Sequence, residues 1–287
     1  MGCPIIVFES VTKVYRSRRS KHEAALVAVE HVSFQVARGE LVVLVGPSAC
    51  GKTTLLRLAA GLDFPTEGRV LSDGAPIQGP SRDRGMVFQQ YSSFPWLTVL
   101  ENVQFPLKYR REIDPTQSAE VAQHFLVLVG LEGFGERFIS ELSGGMQQRL
   151  AIARTLAADP GVLLMDEPFG ALDAQNRELL QRLLLEVQGS SKKSILFVTH
   201  DVDEALYLGD RLLVLSSRPG TVLRELRNPL CDRRSLDVKL SKQFLDLKLD
   251  LLRELRDQVT RHDGGLENIP SKPTRLRNEH LFSARRH

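Results

Sequence analysis

Four short apolar runs organise the middle of this chain. Leu41-Val42-Val43-Leu44-Val45, Val162-Leu163-Leu164-Met165, Ile195-Leu196-Phe197-Val198 and Leu212-Leu213-Val214-Leu215 carry no polar side chain. A strand with one wet face alternates apolar and polar residues, so unbroken runs predict strands buried on both faces. Helix-like stretches lie between them, one beginning at Thr54, one over residues 174–188 and a shorter one over 202–208. Strands and helices in alternation predict a parallel sheet covered on both sides.

Outside this region the pattern changes. Ile6-Val7-Phe8 and Val32-Ser33-Phe34-Gln35-Val36 have strand composition, and Arg38-Gly39-Glu40 turns the second into Leu41. Residues 66–88 read as short strands punctuated by Glu67-Gly68, Asp73-Gly74 and Gly79-Pro80, and residues 98–158 as helices broken at Pro106, at 130–135 and at Gly144-Gly145. Phe244, Leu245, Leu249, Leu252, Leu255 and Val259 recur at helical spacing among charges, so one apolar face there needs cover, from the chain's own body or from a partner. The basic run from Arg16 to His22 reads as a solvated loop. The stretch from His262 onward, with Gly264-Gly265, Pro270, Pro273 and many charges, reads as a disordered tail.

Composition narrows the class. Of 287 residues, 42% are apolar and 25% charged, which suits a globular domain with a large core. A net charge of +3 gives no argument for nucleic acid as ligand. Three widely spaced cysteines, Cys3, Cys50 and Cys231, suggest neither a disulfide framework nor a zinc cluster, and so a reducing compartment. No apolar stretch reaches the roughly 18–20 residues that cross a bilayer, and the N-terminus lacks the features of a secretory signal. The expectation is a cytosolic protein that reaches a membrane only by docking.

Three segments carry candidate chemistry. Gly46-Pro47-Ser48-Ala49-Cys50-Gly51-Lys52-Thr53 has the spacing of a phosphate-binding loop between a strand and a helix. Its glycines let backbone N–H groups approach a phosphate, and the helix that follows points its positive end at the same place. Lys52 offers a charge to the outer phosphates and Thr53 a hydroxyl to Mg2+. Next, the run Leu163–Met165 delivers Asp166 to the C-terminal edge of the sheet as a Mg2+ ligand, with Glu167 one residue on as a general base for water. Third, Leu142-Ser143-Gly144-Gly145-Met146-Gln147-Gln148-Arg149 opens a helix that Ser143 can cap, while Gly144 and Gly145 leave its N–H groups open to a phosphate.

This last octad resembles the signature of ATP-binding cassette transporters, and the other motifs of that family follow in order over about residues 5–225. Gln89 matches the glutamine that senses Mg2+ and the attacking water, Asp173 in Ala171-Leu172-Asp173 the loop crossing a dimer interface, His200 the histidine at the terminal phosphate, and Tyr15 the aromatic that stacks on adenine. Phe94-Pro95-Trp96-Leu97-Thr98-Val99 is similar to the nitrate, sulfonate and taurine importer group, where it lies near the groove for the permease. Trp96 is either a contact there or a core residue. Ala49 and Gln147 depart from the family, which usually has glycine at the first and often a basic residue at the second.

The resemblance implies a phosphate-loop α/β fold with a mixed sheet core, an antiparallel β subdomain and a helical subdomain over about 98–158, then a helical extension over 226–261. It implies ATP and Mg2+ as ligands. The nucleotide would be held by Tyr15, by Gly46, Pro47, Ser48, Ala49, Cys50, Gly51, Lys52, Thr53 and Thr54, by Ser143, Gly144 and Gly145 of a second subunit, and by Asp173 of the loop that crosses the interface. Thr53, Gln89 and Asp166 would hold the metal, and Glu167, His200 and Gln89 would act in catalysis. The implied partners are that second subunit, a membrane permease and, indirectly, an extracytoplasmic solute-binding protein, at the cytoplasmic face of the membrane. A soluble regulatory or repair ATPase and an exporter subunit stay open as alternatives.

Overall fold

The structure is a computed structural model and describes residues 4–16, 25–90, 92–110, 112–114, 116–231 and 235–262. Cys3, most of the basic run (residues 17–22) and the tail from residue 263 lie outside the described residues.

Two sheets form the body. The first is antiparallel, in the order β2 (Leu26–Ala37), β1 (Pro4–Tyr15), β4 (Glu67–Ser72), β5 (Ala75–Pro76). The second runs β10 (Val222–Arg227), β9 (Arg211–Leu215), β3 (Leu41–Val45), β8 (Ser194–Thr199), β7 (Val162–Asp166), β6 (Arg84–Val87). From β9 to β6 every pairing is parallel. The edge strand β10 is antiparallel to β9, which makes the sheet mixed. This strand was absent from the sequence reading, because its charged residues give no clean apolar alternation.

Each apolar run serves two cores, which is why it has no polar position. Val42, Leu44, Leu164, Leu196, Val198, Leu213 and Leu215 pack with α1 (Lys52–Ala60) and the antiparallel sheet. Leu41, Val43, Val45, Leu163, Met165, Ile195, Phe197, Leu212 and Val214 pack on the other face. That face is covered by α2 (Val99–Leu107), α3 (Ser118–Leu128), α4 (Gly144–Ala157), α5 (Ala174–Ser191), α6 (Val202–Leu208) and α7 (Lys242–His262). Complete burial of a leucine or valine side chain is worth about 1.5–3 kcal/mol. A polar residue on any of these strands would therefore lose that gain and need a buried partner as well.

Pro106 does not break α2 where the pattern placed a break. The helix includes it and ends one residue later, where the missing N–H costs only a terminal hydrogen bond. A capping box starts the same helix: Thr98 Oγ1 accepts from the Glu101 amide at 3.2 Å, and Glu101 accepts from the Thr98 amide at 2.8 Å. Fully buried Asn102 ties the preceding loop down through the Phe94 amide and the Phe94 and Thr98 carbonyls.

On α7, Phe244 and Leu251 enter the core, with Leu247, Leu252 and Leu255 packed at its margin. The helix is fastened by Lys248 to Asp203 on α6 at 2.7 Å and by Arg224 on β10 to Asp250 and Glu254. The chain's own body thus covers one face of this helix.

Candidate functional site

The phosphate loop leaves β3 and enters α1 at the C-terminal edge of the parallel sheet, where doubly wound folds bind ligands. Gly51 caps α1 with φ 94°, and a Cβ there would meet Val29 Cγ1 at 2.4 Å and the Ala28 carbonyl oxygen at 2.8 Å. Both the backbone angle and the close approach of β2 therefore demand glycine. Ala49 also has positive φ, 60°. Its departure from glycine is thus a matter of backbone angle, costing on the order of 1 kcal/mol, rather than of a crowded methyl group.

Lys52 is 6% exposed and folds back on its own loop, donating to the carbonyls of Gly46 and Pro47, both at 2.7 Å. Its ammonium is held where an incoming phosphate can exchange for those carbonyls. Beside it, burial pushes the Cys50 thiol above its ordinary pKa and keeps it neutral.

Two oxygens lie beneath the loop. Thr53 Oγ1 donates to Asp166 Oδ1 at 3.1 Å. Asp166 is 3% exposed, and burial raises its pKa; the hydrogen bond from Thr53 pulls the other way, while the Glu167 charge adds to the rise. An all-oxygen pair with one carboxylate suits Mg2+, which keeps several waters and takes few protein ligands. Among the described residues no cluster of three or more His, Cys, Asp or Glu side chains offers a transition-metal cage. The residues present fit Mg2+ bound together with phosphate.

Glu167 follows with φ 46°, a left-handed angle that a non-glycine residue adopts at a cost. Its amide is held by the Val198 carbonyl at 2.9 Å, so the strain is imposed by β8. Its carboxylate lies between two side chains: Gln89 Nε2 donates to Oε2 at 3.2 Å, and His200 Nδ1 lies 3.0 Å from Oε1. β6, β7 and β8 are neighbours in the sheet, and these three residues follow their C-terminal ends.

These groups line an open cleft of about 460 Å3. Ser48, Ala49, Cys50, Gly51, Lys52, Thr53 and Thr54 form its floor, and Gln89, Glu167 and His200 one wall. Tyr15 also lines it; its hydroxyl donates to Asp63 at 2.9 Å, and Lys13 Nζ sits 5.0 Å from the ring centre. Asp166 does not line the cleft but is hydrogen-bonded to Thr53, which does. Gly46 and Pro47 lie on the far side of the loop, facing α7.

Ser143, Gly144, Gly145 and Asp173 do not line the cleft. Ser143 caps α4, accepting from the Met146 amide at 3.4 Å, and Asp173 caps α5, accepting from the Asn176 amide at 3.0 Å. Gln147 donates to the Ile139 and Leu142 carbonyls and so steadies the approach to Ser143. Trp96 is 71% exposed, which rules out core packing. Arg154 of α4 holds the loop before it, donating to the carbonyl and hydroxyl of Ser92 and lying 5.1 Å from the Phe94 ring centre.

The sequence reading missed one segment. Arg218 lines the cleft and donates to the Ala49 carbonyl at 3.3 Å. Gly220 bonds to Ala28 and presses so close that a Cβ would lie 2.0 Å from the Cys50 carbonyl oxygen. Arg-Pro-Gly reads locally as a turn, and its contact with residues 49–50 is visible only in the fold.

Comparison with known proteins agrees with this geometry. The family model described as ABC transporter matches residues 29–170. The nitrate import ATP-binding protein NrtD of Synechocystis sp. is 52% identical over 202 residues, covering 70% of this chain and 76% of that protein. The taurine import ATP-binding protein TauB of Pelagibacter ubique is 45% identical over 229 residues, covering 78% and 86%. Among solved structures, a dimeric ATP-binding cassette in a post-hydrolysis state with ADP and Pi aligns with a TM-score of 0.71 at 34% identity, over 78% of this chain and 98% of that one. A phosphate loop, a buried Asp166 beneath it and a flanked Glu167 above it thus come with a likeness over 70–78% of the chain, and the chain belongs to the ABC transporter family, among the ATP-binding proteins that include the nitrate and taurine importers' subunits.

Proposed function

We propose that two copies of this chain bind and hydrolyse ATP to drive a membrane importer for a small oxyanion-bearing solute of the nitrate, sulfonate or taurine kind. The observation that carries the ATPase reading is the Glu167 carboxylate, held between Gln89 and His200 beside the phosphate loop. The import reading is supported by the relatives named for nitrate and taurine import.

ATP enters with its phosphates on the loop amides and on the N-terminal end of α1. Lys52 moves from the Gly46 and Pro47 carbonyls to the outer phosphates. Mg2+ held by Thr53, Asp166 and Gln89 would neutralise charge on those phosphates. Glu167 accepts a proton as water attacks the terminal phosphorus and the bond to the ADP oxygen breaks. Gln89 and His200 fix the carboxylate for that transfer. Tyr15 supplies a ring face for the base.

Among the described residues, the α4 start with Ser143, Gly144 and Gly145 does not line the cleft. A second copy supplies them, with its Asp173 loop, so ATP draws the two copies together and hydrolysis releases them. The dimeric relative bound to ADP and Pi supports this arrangement. Residues 5–225 act as the cassette, with 226–261 as an appended segment. Among the described residues no helix is long and apolar enough to cross a membrane. A permease therefore supplies the spanning part, docking beside exposed Trp96 on the cytoplasmic face, and an extracytoplasmic binding protein delivers the solute.

Purified protein turns over Mg-ATP, and Lys52→Ala removes nearly all of that turnover; an unchanged rate in the variant overturns the ATPase reading. A tagged copy drawn from membranes in mild detergent brings a permease with it. Ribosomes or DNA in its place overturn the transport reading.

A further inference from the structure

The helix α7 carries more apolar surface than its own body covers. Leu245 and Leu249 are 47% and 52% exposed, and with Leu252 they form a stripe at i, i+4 and i+7, separate from the buried Phe244 and Leu251. The stripe runs into a groove of about 480 Å3, where Leu252, Leu255 and Arg256 face Pro47, Ser48 and His200. Ser48 and His200 also line the nucleotide cleft, so groove and cleft share a wall.

We propose that this stripe and groove extend the interface between two copies of the chain, with α7 of one copy covered by the second only when ATP closes the pair. The inference rests on the ATP-closed dimer proposed above. Two observations select a second copy as occupant. The first is continuity, since a copy that closes the cleft over Ser48 and His200 arrives at the mouth of the groove. The second is charge. Between Lys242 and Gln258, Lys248, Asp250 and Glu254 are tied to the chain's own Asp203 and Arg224, and the remaining charges are basic Lys242, Arg253 and Arg256 and acidic Asp246 and Asp257. An anionic lipid surface selects a basic helix, whereas a balanced rim supplies both signs to a self-complementary contact.

The test uses the full chain carrying Glu167→Gln, which slows turnover and keeps ATP in place. In that background Leu245→Gln with Leu249→Gln raises the dissociation constant of the Mg-ATP dimer about tenfold or more by sedimentation, a change equivalent to roughly 1.4 kcal/mol. Both positions are half-exposed, so the fold and the monomer's affinity for a fluorescent ATP analogue stay unchanged. A polarity-sensitive dye on Leu249→Cys, with Cys3 and Cys231 replaced by serine, shifts to the blue with Mg-ATP, and the shift grows with protein concentration. If the Glu167→Gln parent fails to dimerise with ATP, the dimer reading falls and this inference with it. If the parent dimerises and the double variant does so equally tightly, the inference alone falls. A blue shift independent of protein concentration assigns the stripe to the chain's own residues 263–287 and also overturns it.

Discussion

Gly51 shapes the phosphate loop from within, and Gly220 braces it from a segment far along the chain. The spacing of the loop motif made Gly51 legible, because a tight approach to phosphate requires it. No local pattern marked Gly220, whose constraint is the Cys50 carbonyl. Gly220→Ala forces the loop to move; it destabilises the fold by about 2–3 kcal/mol and weakens ATP binding. Gly74 provides the control. It has φ +78° with nothing within 4 Å of an added Cβ, so Gly74→Ala costs only about 1 kcal/mol and leaves ATP binding intact. Urea unfolding and nucleotide titration of the two variants separate a steric clash from a backbone-angle penalty.

At the scale of elements, α6 carries a buried carboxyl that links stability to pH. Glu204 is 5% exposed, and burial is the main cause of its raised pKa; Gln181 donates to it at 3.1 Å and lowers the rise, while the Asp201 charge adds to it. Its folded value lies above the ordinary 4.5, so the folded state binds the proton more readily than the unfolded chain. Stability from this group is present below 4.5 and is lost as pH rises through the folded value. Glu204→Gln keeps an acceptor for Gln181 without the charge, and makes the protein more stable at pH 7. Urea unfolding at pH 7 and at pH 4.5 shows that gain shrinking at the lower pH. A constant difference would assign it to packing instead. A glutamate on a short amphipathic helix reads as a surface residue, and only the fold, which brings Gln181 of α5 against α6, shows it buried.

For the whole molecule, the separation of Ser143, Gly144 and Gly145 from the cleft is the decisive fact. Ser143→Arg leaves ATP binding by the single chain unchanged and abolishes ATP-driven dimerisation; loss of binding itself would place the segment in its own chain's site. Trp96 belongs to this scale too, since its indole touches the Phe94 ring on one side and is otherwise 71% exposed. Trp96→Ala leaves ATP turnover by the isolated chain unchanged and removes its stimulation by the permease in reconstituted vesicles. Arg154 and Asn102 hold the surrounding loop in place, so the substitution removes a contact without unfolding its support.

What the sequence by itself determined was local. Leu41–Val45, Val162–Asp166 and Ser194–Thr199 are buried strands because their apolar runs leave no wet face, and spacing along one chain puts Lys52 and Thr53 at the start of α1 and Asp166 and Glu167 at the end of β7. Their chemistry follows from residue type and from neighbours a few positions away. The tertiary structure decided what depends on distant segments meeting: that Arg218 and Gly220 close on Ala49 and Cys50, that Glu204 is buried, and that α7 runs beside the phosphate loop with a leucine stripe left over. Such contacts join residues far apart in the chain, and pairings of that kind are set by the summed packing of two cores rather than by any single motif.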